Sequence, residues 1–432
     1  MMNKTKLGNV IASLVLLCAM ILSLAGCANN EDDGSGSSDP ATFESVDLMR
    51  DVTLNSVEAL DDLGASNVSA TDFALRIFKA SNASGENTLI SPLSILCALA
   101  MTANGAEGET KAQMESVLGM TTEELNMYLY SYLASLPQGE KYKLSVANSI
   151  WFKDNEEFTV SADFLQTNAD YYGADVYKAP FDEQTLADIN SWVNDETDGM
   201  IPHVLNEIPE YAIMYLINAL AFEAEWASVY YEDQVHNGWF TCEDGSKQIA
   251  EMMYSGEHRY LEDENATGFM KYYSGGKYAF VALLPNEGIS VDEYIDTLDG
   301  EALSSLLSNV DYGVVETAMP KFQTKFDLEL SQILMSMGMT DAFDPDVSDF
   351  DGIGSFTRGS IYISKVIHKT YIEVGEKGTK AGAVTIVEMD GVSAAPPDEI
   401  KRVYLDRPFV YMLIDTENNV PFFIGTMMSV NG

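Results

Sequence analysis

The chain has 432 residues, 46% hydrophobic and 21% charged, a globular composition with ample apolar material for a core. Its formal net charge is −43, which makes nucleic acid and anionic membrane surfaces poor partners, because both are held through basic patches. The four histidines are His203, His236, His258 and His368, and none sits in an HExxH or Cys-x-x-Cys context, so no metal site is readable and no cofactor is expected. There is no GxSxG elbow and no GxxxxGK[ST] loop, and the carboxylates form no pair that stands out from a solvated acidic surface, so an enzyme is poorly supported.

Residues 1–26 read as a secretory signal. Lys4 and Lys6 give a basic start, an apolar run follows at 11–24, and the run closes on Leu24-Ala25-Gly26-Cys27. That layout is a targeting segment to be removed, not a membrane span. The ending is similar to the bacterial lipobox, in which the cysteine is lipidated and becomes the mature N-terminus. Cys27 is therefore the expected lipid anchor, with a plain signal peptide as the alternative. Each buried CH₂ of an acyl chain adds about 0.8 kcal/mol, so several chains hold firmly. Cleavage takes two lysines and no acid, leaving 22 basic residues and a charge of −45. Residues 27–45 are rich in Gly, Ser and acid and read as a flexible tether. A single domain is expected over 46–432. Cys97 lies in an apolar run and is expected to be a buried free thiol, with no disulfide.

Helical signals dominate the first half. Residues 69–78 have helical apolar spacing behind a capping Ser or Thr, and 91–103 read as a buried helix with Pro92 near its start. A further helix is expected around 189–194. Strands are expected at 144–152, 214–222, 278–284, 314–319, 362–366, 409–414 and 422–427. Helices early and strands late point to an α+β architecture. Trp151, Trp192 and Trp239 are expected in the core.

The stretch 373–409 stands apart. Gly378, Thr379, Ala381, Gly382, Ala383, Val384 and Thr385 are small or β-branched, with only Lys380 charged among them, which suits a pleated sheet. Alternation places Thr379, Ala381, Ala383, Thr385 and Val387 on a face able to be buried, and both Lys380 and Glu388 on the other. Asp390-Gly391 and Pro396-Pro397 then break the pattern. One reading is an ordinary strand and a surface connection. The other is a strand held in reserve, which joins a sheet only after the loop beyond it is cut; adding a strand supplies main-chain hydrogen bonds and pockets for alternate side chains.

Separate blocks decide between these readings. NTLISPLS at 87–94, GAEGET at 105–110, LSVAN at 144–148, INSW at 189–192, MPKF at 319–322, MGMTDAF at 337–343, ISKVIHK at 363–369, EKGT at 376–379 and DRPF at 406–409 occur in this order. Together they resemble the serpin family over nearly all of 46–432. AFEAEW at 221–226 departs from the pattern, since relatives usually carry a basic residue and Gly before the Trp; packing near the top of the main sheet is the point in question.

The resemblance implies three β-sheets surrounded by about eight or nine helices, with an exposed reactive loop at 376–408. It implies suicide inhibition: a protease attacks the loop, forms an acyl-enzyme, and is carried across as the cleaved loop inserts into the main sheet. Release of stored strain by loop insertion is a recognised switch. Carried over by position, the hinge comprises Glu376, Gly378, Thr379, Ala381, Gly382 and Ala383, with Glu376 paired to Lys321. Ser91, Ser94, Asn218 and His368 match a buried polar cluster beneath the strands that must part, called the shutter, and Trp226 lies where the loop enters. Counting from Glu376 puts the reactive bond between Val392 and Ser393, with Met389 and Ala394 as fallbacks; counting back from Pro408 gives a site near Pro397. The hinge count sets the length of the inserted strand, whereas extra residues beyond the cut are absorbed as loop. An aliphatic Val392 among small neighbours suits a shallow apolar pocket. The expected partner is thus an elastase-like serine protease, with subtilisin-like and cysteine proteases as further candidates. The protein is expected to act as a monomer, lipid-anchored at a bacterial cell surface. A serpin-fold surface binding module without inhibitory activity is the alternative function.

Overall fold

The computed structural model describes residues 44–155, 158–209, 212–357, 359–379 and 400–431. Its largest sheet has seven strands, which we number β1 (Val46–Asp47), β2 (Tyr142–Lys153), β3 (Asp175–Ala179), β4 (Met214–Glu225), β5 (Phe322–Glu329), β6 (Ile367–Gly375) and β7 (Gly378–Thr379). Their spatial order is β1-β3-β2-β4-β7-β6-β5. β2 and β3 are parallel and every other neighbouring pair is antiparallel.

A six-stranded sheet carries the densest core. Tyr278–Pro285, Phe409–Asp415 and Pro421–Met427 are buried at every position. Such continuous apolar runs belong to strands covered on both faces. A four-stranded sheet runs in the order Lys401–Tyr404, Val315–Pro320, Lys247–Glu257, Val235–Thr241, and a two-stranded ribbon joins Phe158–Val160 to Gly354–Phe356. Nine α-helices surround these sheets among the described residues. We number those used below α1 (Gly64–Ser81), α2 (Pro92–Ala103), α3 (Gly108–Leu118), α4 (Thr122–Ser135), α5 (Ala162–Tyr172) and α6 (Glu183–Glu196). The fold is α+β.

α2 positions the lower part of the site. Pro92 fills its first turn, where a missing N–H costs nothing, and Ser91 caps it by accepting from Ser94 N at 3.4 Å. Eleven of its twelve residues are buried, because it lies between β4 and the six-stranded sheet. Cys97 in this helix is a free thiol, pushed up to about 12 by burial.

The chain's described start is tied to the main sheet. β1 adds an edge strand beside β3, with Val46 opposite Lys178. The buried Asp188 of α6 accepts from Glu44 N, Ser45 N and Ser45 Oγ. Glu44 and Ser45, the last residues assigned to the tether, are therefore hydrogen-bonded to the body.

Three local expectations are corrected. The strand expected at 362–366 is absent; ladder pairing begins at Ile367. The preceding backbone satisfies its polar groups elsewhere: Ile363 N donates to Ala342 O, Leu330 N to Val366 O, and Val366 N to Ser331 Oγ. α1 begins at Gly64 behind Leu63, which makes no side-chain cap, so the Ser and Thr residues read as its cap lie inside the helix. Trp239 is 58% exposed, opposite an equally exposed Ile249 on the outer side of an edge strand, while the alternate residue Phe240 is fully buried. Trp151 and Trp192 are core residues.

Candidate hinge and sheet-insertion site

The site is the seam between β4 and β6. No ladder joins these strands directly among the described residues; the two-residue β7 stands between them at their upper end. Gly378 lies opposite Glu225 on one side and Gly375 on the other, and Thr379 lies between Ala224 and Val374. Gly378 is required twice. Its φ is +153°, and a Cβ there would sit 1.9 Å from the carbonyl oxygen of Ala224.

Thr379 is only 2% exposed. Its hydroxyl is hydrogen-bonded to that of Tyr273, whose phenol is pushed far up by burial. Tyr273 stacks on Trp226, with centroids 4.3 Å apart and planes 12° from parallel. Trp226 in turn holds the approach to β7: its Nε1 donates to Gly375 O at 2.8 Å and its N to Lys377 O at 2.8 Å. Tyr230 N donates to Glu376 O at 2.9 Å. These bonds fix the three residues before Gly378 by their backbone, which tolerates side-chain change.

Charge surrounds this cradle. Lys321 Nζ lies 2.8 Å from Glu376 and 3.1 Å from Glu251. Partial burial raises the Glu376 carboxyl but is outweighed by the Lys321 ammonium, which holds it below the usual range. Partial burial opposes charge on Lys321 too, and its two carboxylate partners overcome it. Beneath the aromatic pair, Lys271 is almost wholly buried and donates to Glu257 at 2.7 Å. Its ammonium sits 4.4 Å from the Tyr230 ring centroid and 5.5 Å from that of Trp226. Burial pulls the Lys271 pKa down, but Tyr230 and Glu257 raise it overall, so a desolvated charge is retained by pairing and by ring faces. A cleft of about 720 Å³ opens above, lined by Glu223, Glu373, Glu376 and Lys377. The departure AFEAEW resolves here: Ala224 is buried against Thr379, while Glu225 turns out to Lys141 at 2.9 Å.

The lower end differs. His368 on β6 is buried, and its Nε2 accepts from Ser91 N at 3.0 Å. Nδ1 therefore carries the proton in the neutral ring. Burial pulls the imidazole down to about 4. Ser94, Asn218 and His368 line one pocket of about 30 Å³, large enough for a water molecule. Asn218 donates not to His368 but to Asn148 Oδ1, and its own Oδ1 is buried without a hydrogen-bond partner among the described residues. Of the four residues expected in the shutter, Ser91 is thus bonded to both Ser94 and His368, while Asn218 shares the pocket of Ser94 and His368 and bonds to the other strand.

Ala381, Gly382, Ala383, Val392, Ser393 and Cys27 lie outside the described residues. Lys271, Glu257, Tyr230 and Tyr273 were not singled out from the sequence. A lysine inside the apolar run FMKYY was the available signal, because a buried lysine demands a partner.

Among the described residues the two central strands of the main sheet meet only through Gly378 and Thr379, the first residues of a small-residue segment, an arrangement suited to strand insertion. The comparisons agree. The family model described as Serpin (serine protease inhibitor) matches residues 68–430. Among solved structures, the thermophilic serpin tengpin in its native state is similar at 48% identity, covering 89% of this chain and all of that one, with a TM-score of 0.85. An uncharacterized serpin-like protein of Thermococcus kodakarensis is 26% identical, covering 96% of this chain and 98% of its own. The human leukocyte elastase inhibitor is 28% identical, covering 86% of this chain and all of its own. The chain belongs to the serpin family, whose members are in general inhibitors of proteases.

Proposed function

We propose that this protein is a suicide inhibitor of elastase-like serine proteases. The protease cleaves between Val392 and Ser393, and the freed strand from Gly378 onward inserts between β4 and β6, translocating and distorting the acylated enzyme. The observation that carries this reading is Thr379, whose side chain is already buried between Ala224 and Val374. It sets the register in which the alternate residues Ala381, Ala383, Thr385 and Val387 follow onto the buried face. All are small or β-branched, so the rest of the strand meets no steric or charge barrier. Likeness to native tengpin, with a TM-score of 0.85 against 0.76 for latent tengpin, supports reading the described residues as the native form. Lipidation at Cys27 and the acidic tether would hold the inhibitor at the outer face of a bacterial membrane.

The experiment incubates the purified protein with elastase, subtilisin, chymotrypsin, trypsin and a papain-type protease. An SDS-resistant adduct with elastase, releasing a peptide that begins at Ser393, is expected. A peptide beginning at Arg402 or Val403 would overturn both the site and the elastase-like specificity. Cleavage without any adduct would favour the binding module. A metabolically incorporated fatty acid lost in Cys27→Ala tests the anchor.

A further inference from the structure

Arg259 lies just past the end of the Lys247–Glu257 strand, and its guanidinium is braced by two aromatic rings. It sits 4.1 Å from the ring centroid of Tyr312 and 5.7 Å from that of Tyr272. Tyr312 is 72% exposed, the most exposed large hydrophobic side chain among the described residues. Arg259 makes a single long bond, 3.3 Å to the neighbouring His258 carbonyl, and no ion pair among the described residues. That is unexpected in a chain with 67 acidic and 24 basic residues. Two neighbouring carboxylates are otherwise engaged: Glu257 by Lys271 and Glu262 by Lys401 at 3.8 Å. A guanidinium offers five donors in a rigid fork. Here the ring faces hold it while leaving most of that fork unused.

The position joins this group to the reactive loop. Tyr260 follows Arg259 directly, and the Lys401 ammonium lies 5.0 Å from its ring centroid. Lys401 opens the strand by which the chain returns from the loop, paired with Val315, and the exposed Ile400 precedes it. From Ser393 to Lys401 the chain reaches at most about 28 Å. A protease domain of ordinary size is roughly 45 Å across, so an enzyme seated on the proposed bond is wide enough to reach this foot. Tyr and Arg are the residue types that dominate docking energetics.

Resting on the protease-trapping reading above, we propose that Arg259, braced by Tyr272 and Tyr312 at the foot of the reactive loop, is a secondary docking contact for a surface carboxylate of the target protease. It acts before the covalent step, so it governs the rate of encounter and not the fate of the acyl-enzyme. The test measures association rate constants and inhibition stoichiometry with whichever protease of the panel reacts fastest with wild type. Arg259→Glu is expected to slow association at least tenfold, Tyr312→Ala several-fold and Arg259→Lys by an intermediate factor, all at unchanged stoichiometry and with the salt dependence flattened. Association at the wild-type rate in Arg259→Glu overturns the proposal while leaving protease trapping intact. A slower rate accompanied by a raised stoichiometry also overturns it, since the residue would then serve insertion. No adduct with any protease in the wild-type arm removes the trapping reading, and this contact with it.

Discussion

The two ends of the seam between β4 and β6 are built on opposite principles. The upper end is occupied and cross-braced: two residues of β7 are paired on both sides, an aromatic stack holds the hydroxyl of Thr379, and a buried ammonium underlies the stack. The lower end has no intervening strand among the described residues, and its polar links lie beside the seam: Ser91 ties β6 to the start of α2 through His368, and Asn218 ties β4 to β2 through Asn148. On the proposed insertion, this asymmetry gives the strand one direction of entry. The upper end would set the register of the incoming strand, and at the lower end the facing edges of β4 and β6, which share no ladder among the described residues, are what that strand would pair with.

The first way to break the comparison is to spoil the seated residue. Thr379→Arg places a charge where Thr379 is 2% exposed, and burying an unpaired charge costs several kcal/mol or more. The variant is expected to be cleaved as a substrate with little or no adduct on SDS gels; wild-type adduct yield would show that the inserted strand takes another register. Next, Lys271→Met leaves the Glu257 carboxylate buried without its partner, at an expected cost of about 3–5 kcal/mol. Urea unfolding should register it, and Lys271→Met with Glu257→Gln should recover most of the loss.

The lower end is tested by pH. His368 is held at about 4 against an ordinary 6.5. Between those values the unfolded chain binds the proton and the folded one does not, so stability rises with pH there. It is lost as pH falls from about 6.5 toward 4, by up to about 3 kcal/mol. His368→Phe should flatten that part of a stability-against-pH curve; an unchanged slope would assign it to other groups. The smallest effect is expected at the hinge pair. Lys321 and Glu376 are 27% and 39% exposed along their side chains, so the pair contributes only about 0–1 kcal/mol. Glu376→Lys should leave the unfolding midpoint nearly unmoved while speeding polymerisation or conversion to a latent form on heating. Unchanged behaviour on heating would reduce the pair to a surface contact.

Regular elements with strong patterns were legible. The apolar runs at 278–284, 409–414 and 422–427 fall in strands buried on both faces, and Pro92 with Ser91 marked the start of α2. Trp239 was not legible, because an aromatic residue on an edge strand has the same local pattern as one in the core. Nor was the 362–366 segment, whose Ile363 is buried while its backbone bonds to Ala342, Leu330 and the Ser331 hydroxyl in place of a ladder. At the site, Lys321 and Glu376 were expected as partners and stand 2.8 Å apart. Asn218 was expected within direct or water-bridged reach of His368; the two line one pocket of about 30 Å³, and the amide of Asn218 bonds across to Asn148.

Taken alone, the order of residues determined the most strongly patterned strands and helices, which stretch is small enough to slip into a sheet, and where its buried face begins, because period, size and charge are local properties. Only the tertiary structure decided that Thr379 is already seated, that Tyr273 and Trp226 hold it, and that Lys271 keeps its charge beneath them. Those facts depend on side chains far apart in sequence sharing one dry volume, where a partner's distance and the loss of water set the energy.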